Sequence, residues 1–116
     1  MRIYISGPYH ARDCTEPEVP LMVQRNVAKA IRAFHRLKEE GHEPFVPHLS
    51  HYIRAHPSCP EEYGEWWYEY NLSFLDHWAE AIYMLNGFSD SKGARLELKR
   101  ALDNGLAIFF DDGRGD

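Results

Sequence analysis

Residues 80–110 read EAIYMLNGFSDSKGARLELKRALDNGLAIFF, and how this stretch folds decides the architecture of the whole chain. "EAIYML" is short, apolar and β-prone, and it stops at Asn86-Gly87. After the turn "FSDS", Ala94, Leu98, Ala101 and Leu102 recur at helical spacing through residues 92–104. Gly105 stands where a glycine ends a helix, and "LAIFF" then makes a further strand. Strand, helix and strand in one short span form a βαβ unit, whose two strands run parallel.

The same alternation continues toward the N-terminus. Residues 2–6, "RIYIS", read as a strand cut off by Gly7-Pro8. Residues 10–20 hold Asp13, Thr15, Pro17 and Pro20 and read as an irregular loop. From 21 to 40, Val23, Val27, Ala30, Ile31, Phe34 and Leu37 mark one face of a helix closed by Gly41. "HEPFVP" gives a short strand stopped by Pro47, and a loop rich in His and Pro follows to about residue 60. A second helix, roughly 61–77, carries Trp66, Trp67, Tyr70, Phe74 and Leu75 on one broad face, read as packing against the sheet. Each strand is apolar over most of its length, which requires cover on both faces. Right-handed crossovers with one reversal of direction predict a small flavodoxin- or Rossmann-like α/β fold: a parallel sheet of about four strands, ordered 2-1-3-4, with helices on both faces.

The chain has 116 residues, enough for one core and too few for two. One domain over residues 1–110 and a polar tail, 111–116, are expected. With 44% apolar and 27% charged residues the composition is that of a globular protein. The net charge is −5, and no Lys/Arg stripe tracks a phosphate backbone, which argues against nucleic acid polymers as partners. A single nucleotide, needing one or two phosphate contacts, remains compatible. Cys14 and Cys59 both fall in expected loops and make no disulfide framework, so a reducing, cytoplasmic setting is expected. No apolar run approaches the length of a membrane span or a signal-peptide core, and no membrane partner is expected.

In such sheets ligands bind outside the carboxyl ends of the strands, where the strand order reverses. Ser6-Gly7-Pro8-Tyr9 ends the first strand there, and the turn before "SKGARLEL" follows the third, so the two should meet. Gly7 allows close backbone approach, Pro8 stiffens the exit, and Tyr9 offers an aromatic face to a planar ring. Ser91, Lys92 and Gly93 lead into a helix whose first N–H groups suit an anion. Glu97, flanked by Leu96 and Leu98, has two readings: a carboxylate nucleophile in the crevice, or a surface residue paired with Arg100.

Taken together, "ISGPY", "NVAKAIRAFHRLKEEGHEPFVPHLSH", "EWWYEYNLSFLD" and "AEAIYMLNGFSDSKGARLELKRALDNG" resemble the nucleoside 2-deoxyribosyltransferase superfamily, in particular its small phage and bacterial branch. The resemblance covers nearly the whole chain. It implies cleavage or exchange of the N-glycosidic bond of a nucleoside or nucleoside 5′-monophosphate, with no cofactor and no metal. Glu97 maps onto the nucleophile that forms a covalent glycosyl-enzyme, which water or an incoming base then resolves. Ser6, Gly7, Pro8 and Tyr9 would line the base and sugar pocket, and Ser91 and Gly93 would hold sugar hydroxyls or a 5′-phosphate. Where active relatives carry an Asp that orients the sugar and assists departure of the base, this chain has Asn71, with Asp76 a little further on as a substitute and Glu80 before the third strand. An amide delivers no proton, so a pocket that binds a nucleotide without chemistry is the rival reading.

His48, His51, His56 and Cys59 share one loop, but H-x2-H-x4-H-x2-C matches none of the usual structural zinc spacings. The loop is read as overhanging the pocket, with His48 or His51 on substrate. Trp66 and Trp67 are adjacent and cannot face the same way, so one is expected to meet a partner subunit of a homo-oligomer.

Overall fold

The computed structural model describes residues 1–9, 18–49 and 64–111. Four strands form one parallel sheet: β1 (Arg2–Ser6), β2 (Glu43–Phe45), β3 (Ala81–Met84) and β4 (Ala107–Phe110), in the order β2-β1-β3-β4. Among the described residues three helices alternate with them, α1 (Glu18–Glu39), α2 (Gly64–His77) and α3 (Lys92–Asp103), with 3-10 turns at Pro47–Leu49 and Phe88–Asp90. The expected α/β fold, its parallel sense and its strand order are all present.

Alternation along the strands divides the core in two. Ile3 and Ile5 of β1, with Ala81, Tyr83 and Leu85 from β3 and the residue after it, pack on Ala30, Ala33 and Leu37 of α1. On the opposite face Tyr4, Ile82 and Met84 pack with Leu75 of α2 and with Ala94 and Ala101 of α3. Burying each large aliphatic side chain contributes about 1.5–3 kcal/mol, and small alanines at the helix contacts let the helices approach the sheet closely.

Both α1 and α3 end as the glycine positions require. Gly41 and Gly105 take positive φ (93° and 73°), and paired backbone bonds (His42 to Leu37 and Gly41 to Lys38, Leu106 to Ala101 and Gly105 to Leu102) close each last turn. The beginning of α1 departs from the expectation: the helix starts at Glu18, inside the stretch read as a loop. Pro20 then falls in the first turn, where a missing N–H removes no helical bond. The expected start of α2 near residue 61 lies outside the described residues.

The inward face of α2 is also narrower than its aromatic pattern predicts. Phe74 stacks on Phe45 of β2 at 3.9 Å between ring centroids and Leu75 is buried, but Trp66 and Tyr70 remain exposed and stack on each other at 5.0 Å. The physical reason is length. β2 has three residues, about 10 Å of strand, whereas Trp66 stands eight residues before Phe74, about 12 Å along the helix axis.

Asp111, expected to begin the polar tail, is held in the fold. Its N–H extends the β3–β4 ladder by donating to the Met84 carbonyl (2.8 Å), and its carboxylate meets Arg36 at 3.5 Å and accepts from the Tyr83 hydroxyl at 3.3 Å. Among the described residues no helix is long and apolar enough to cross a membrane.

Gly7 marks where β1 must leave the sheet beside the residue that ends β3. The Leu85 N–H donates to the Ser6 carbonyl at 2.8 Å, and a Cβ on Gly7 would lie 2.6 Å from Leu85 Cβ. That atom sits on the main chain's own stem and cannot swing away. Gly7→Ala is therefore expected to lower stability by about 1–3 kcal/mol in a urea titration, and a variant as stable as wild type would refute the close approach.

Candidate active site

The carboxyl ends of β1 and β3 meet as expected: Gly7 lies on Leu85, and a Cβ on Gly87 would meet the Pro8 ring at 3.4 Å. From α3, Glu97 reaches back across this junction to β1. The Tyr4 hydroxyl donates to its Oε2, and the Ser6 hydroxyl donates to its Oε1 at 2.7 Å. Period-two geometry is what makes this clasp, because residues 4 and 6 of one strand face the same side. The alternative reading of Glu97 as a surface partner of Arg100 does not hold. Arg100 is turned away, onto Asp76.

Two opposing influences set the state of Glu97. Burial pushes its carboxyl above the ordinary range, and the hydrogen bonds from Tyr4 and Ser6 pull it back part of the way. Burial and the facing carboxylate both push the Tyr4 phenol well above its usual value, so it stays protonated and remains a donor. Tyr4 is not among the candidates that the sequence motifs suggest. The signal was present, since a tyrosine in an otherwise aliphatic buried strand needs a partner for its hydroxyl.

Ser91 is the N-cap of α3: it has extended backbone, and its Oγ accepts from the Ala94 N–H at 3.2 Å. The hydroxyl proton is still available to a ligand, because a serine oxygen accepts and donates at once. At Gly93 the nearest atom to an added Cβ is Ser91 Oγ at 4.0 Å, so packing within the chain does not demand glycine there.

The other predicted residues take different places. Tyr9 is half-buried, its carbonyl accepting from Asn26 of α1 at 3.2 Å and its ring edge-on to His48 at 6.2 Å. His48, expected on substrate, is buried beneath the turn and donates from Nε2 to the Pro8 carbonyl at 3.0 Å. Burial drives its pKa down to about 4, against the raising influence of the Pro8 and Gly7 carbonyls. The ring is thus neutral, with Nε2 carrying the proton, and the enclosed Nδ1 has no hydrogen-bond partner among the described residues. Cys14, His51, His56 and Cys59 lie outside the described residues.

Asp76 does not join Glu97 as a proton donor. Both its oxygens accept from Arg100 (2.7 and 2.6 Å), and Asn104 adds a bond at 2.9 Å, tying α2 to α3. These bonds hold its pKa at about 2, far below where a general acid works. Asn71 is half-buried on the same helix, five residues earlier. Because the folded pKa of Asp76 is depressed, its contribution to stability is present above the ordinary carboxylate range and lost as pH falls toward 2. Asp76→Asn should lower the melting temperature modestly at pH 7, and the gap should shrink steadily as pH falls from the ordinary carboxylate range toward 2. An equal gap at both ends of that range would show that the ion pair is not its source.

Fold and site together define a small flavodoxin-like α/β protein with a clasped, half-buried carboxylate at its topological switch point. A family model described as "Domain of unknown function (DUF1937)" matches residues 1–111, and the chain belongs to that family. A search of curated proteins returns no match.

Proposed function

We propose that this protein cleaves or exchanges the N-glycosidic bond of a nucleoside or nucleoside 5′-monophosphate, with Glu97 as the nucleophile that carries the sugar. The observation that carries the reading is the clasp itself: a half-buried carboxylate at the carboxyl end of β1, oriented through both oxygens by Tyr4 and Ser6. A surface carboxylate needs no such positioning, whereas an attacking one gains from being held in a near-attack geometry. The Gly7-Pro8-Tyr9 exit would hold the base and sugar, and Ser91 with the open space at Gly93 would take sugar hydroxyls or a phosphate. Such a reaction is a retaining, two-step displacement with an oxocarbenium-like transition state.

The pairing of Asp76 with Arg100 favours a second reading, a pocket that binds a nucleotide and turns it over weakly or not at all. Loss of a general acid typically costs ~10²–10⁴ in rate. The exposed Trp66 and Tyr70 support a homo-oligomer, and the cysteine content supports a reducing, cytoplasmic setting.

The deciding experiment is a chromatographic screen for free base from deoxynucleosides and their 5′-monophosphates, with and without an acceptor base. Base released by the wild type and not by Glu97→Ala establishes the enzyme, and the acceptor lanes separate transferase from hydrolase. A nucleotide that raises the melting temperature with no base released establishes the binding pocket instead.

A further inference from the structure

We infer that Ser6 is a positioning residue for the attacking oxygen of Glu97, and that its hydroxyl governs the second half of the reaction rather than contacting substrate. The inference rests on the nucleophile reading above.

The two oxygens of Glu97 are held by two residues at different depths in one strand. Oε2 takes the Tyr4 hydroxyl, and Oε1 takes Ser6. Ser6 is the last residue of β1, whereas Tyr4 lies two residues deeper, about 7 Å along the strand. Ligands bind beyond the carboxyl ends of such strands, so Oε1 is the oxygen turned toward substrate and Oε2 is the anchored one. Ser6 itself is fully buried. Its side chain is spent on Glu97, and the next residue, Gly7, has no side chain to shield the junction.

In the first step Oε1 gives an electron pair to C1′ while the C1′–N bond breaks, its pair leaving with the base, which takes a proton from water. The resulting ester oxygen carries no net charge, and the Ser6 bond to it weakens. In the second step water or an incoming base adds to C1′ and loses a proton to solvent, and the C1′–Oε1 pair returns to Oε1. Charge then reappears at the atom that faces the Ser6 hydroxyl. A donor waiting there lowers the barrier to departure of the carboxylate.

The test uses rapid-quench assays on wild type, Ser6→Ala and Ser6→Thr with a deoxynucleoside panel, followed by intact-mass analysis. Ser6→Ala should release a burst of base matching the enzyme concentration and then turn over about tenfold more slowly or worse, with a glycosyl adduct accumulating on Glu97. Among the described residues Tyr4 and Ser6 are the hydrogen-bond donors to Glu97, and each lowers its pKa, so losing one should also move the acid limb of kcat/KM to higher pH. Ser6→Thr, which keeps the hydroxyl, should restore both. An alanine variant that releases base without a burst and with an unmoved acid limb overturns the inference. If the wild type itself releases no base, the nucleophile reading fails first and the role in turnover falls with it. A ¹³C titration of the Glu97 carboxyl that is identical in wild type and Ser6→Ala would further remove the contact itself.

Discussion

Glu97→Gln should lower base release by at least about 10³-fold while leaving the protein folded, and above the Glu97 pKa the variant should melt at a higher temperature than wild type. The two halves of this expectation have one cause. Glutamine is close in shape to glutamate, and the hydroxyls of Tyr4 and Ser6, which accept as well as donate, can turn to meet an amide. What disappears, on the proposed reaction, is the anionic electron pair that would attack carbon. What also disappears is the cost of holding a charge in a buried place. Because the folded pKa of Glu97 is raised, the native carboxyl keeps its proton to a higher pH than the unfolded one. Stability is therefore complete below the ordinary carboxylate range and falls as pH rises through the folded value. The melting advantage of the glutamine variant should vanish at pH 4 and grow toward pH 8. A variant that is inactive but less stable than wild type across that range would show that the carboxylate is a structural support, not a strained nucleophile.

The second large effect comes from His48. Its ordinary pKa of 6.5 falls to about 4 in the folded protein, so from neutrality downward the unfolded chain takes up a proton that the native one refuses. The stabilising contribution is present above 6.5 and is lost as pH falls toward 4, by about 3 kcal/mol in total at 1.36 kcal/mol per unit. Denaturant titrations at pH 7, 5.5 and 4.5 should show this loss for wild type, and His48→Gln should flatten it. Since the ring holds the Pro8 carbonyl, the same acid range should loosen the turn that carries Tyr9. Parallel pH curves for wild type and variant would refute burial of the neutral ring. The Asp76 pair, which titrates near pH 2, lies below this window and does not confuse it.

Much of the fold was legible in the sequence because the signals that carry it are local. Four short apolar runs, helical spacing between them and glycines just past α1 and α3 specified the elements, and the handedness of parallel crossovers then left the order 2-1-3-4. The places where the reading slipped are those where a neighbour in space decides. Pro20 sits in a first turn, where it breaks nothing, and Tyr70 stays outside the core because β2 is too short to lie under it, while Trp66 is the outward member of the Trp66-Trp67 pair.

By itself, then, the sequence determined the layers, the parallel sheet and the meeting of the Gly7-Pro8 exit with the turn after β3, and it offered Glu97 as a candidate. Tertiary structure alone decided its partners. Tyr4 and Ser6 stand 93 and 91 positions from Glu97, and no periodicity in the chain links residues at that separation. The same holds for Asp76, paired through both oxygens with Arg100, and for His48, drawn under the Pro8 turn. Secondary structure follows from patterns a few residues long, whereas a side chain's charge, proton and partner depend on what folding brings against it.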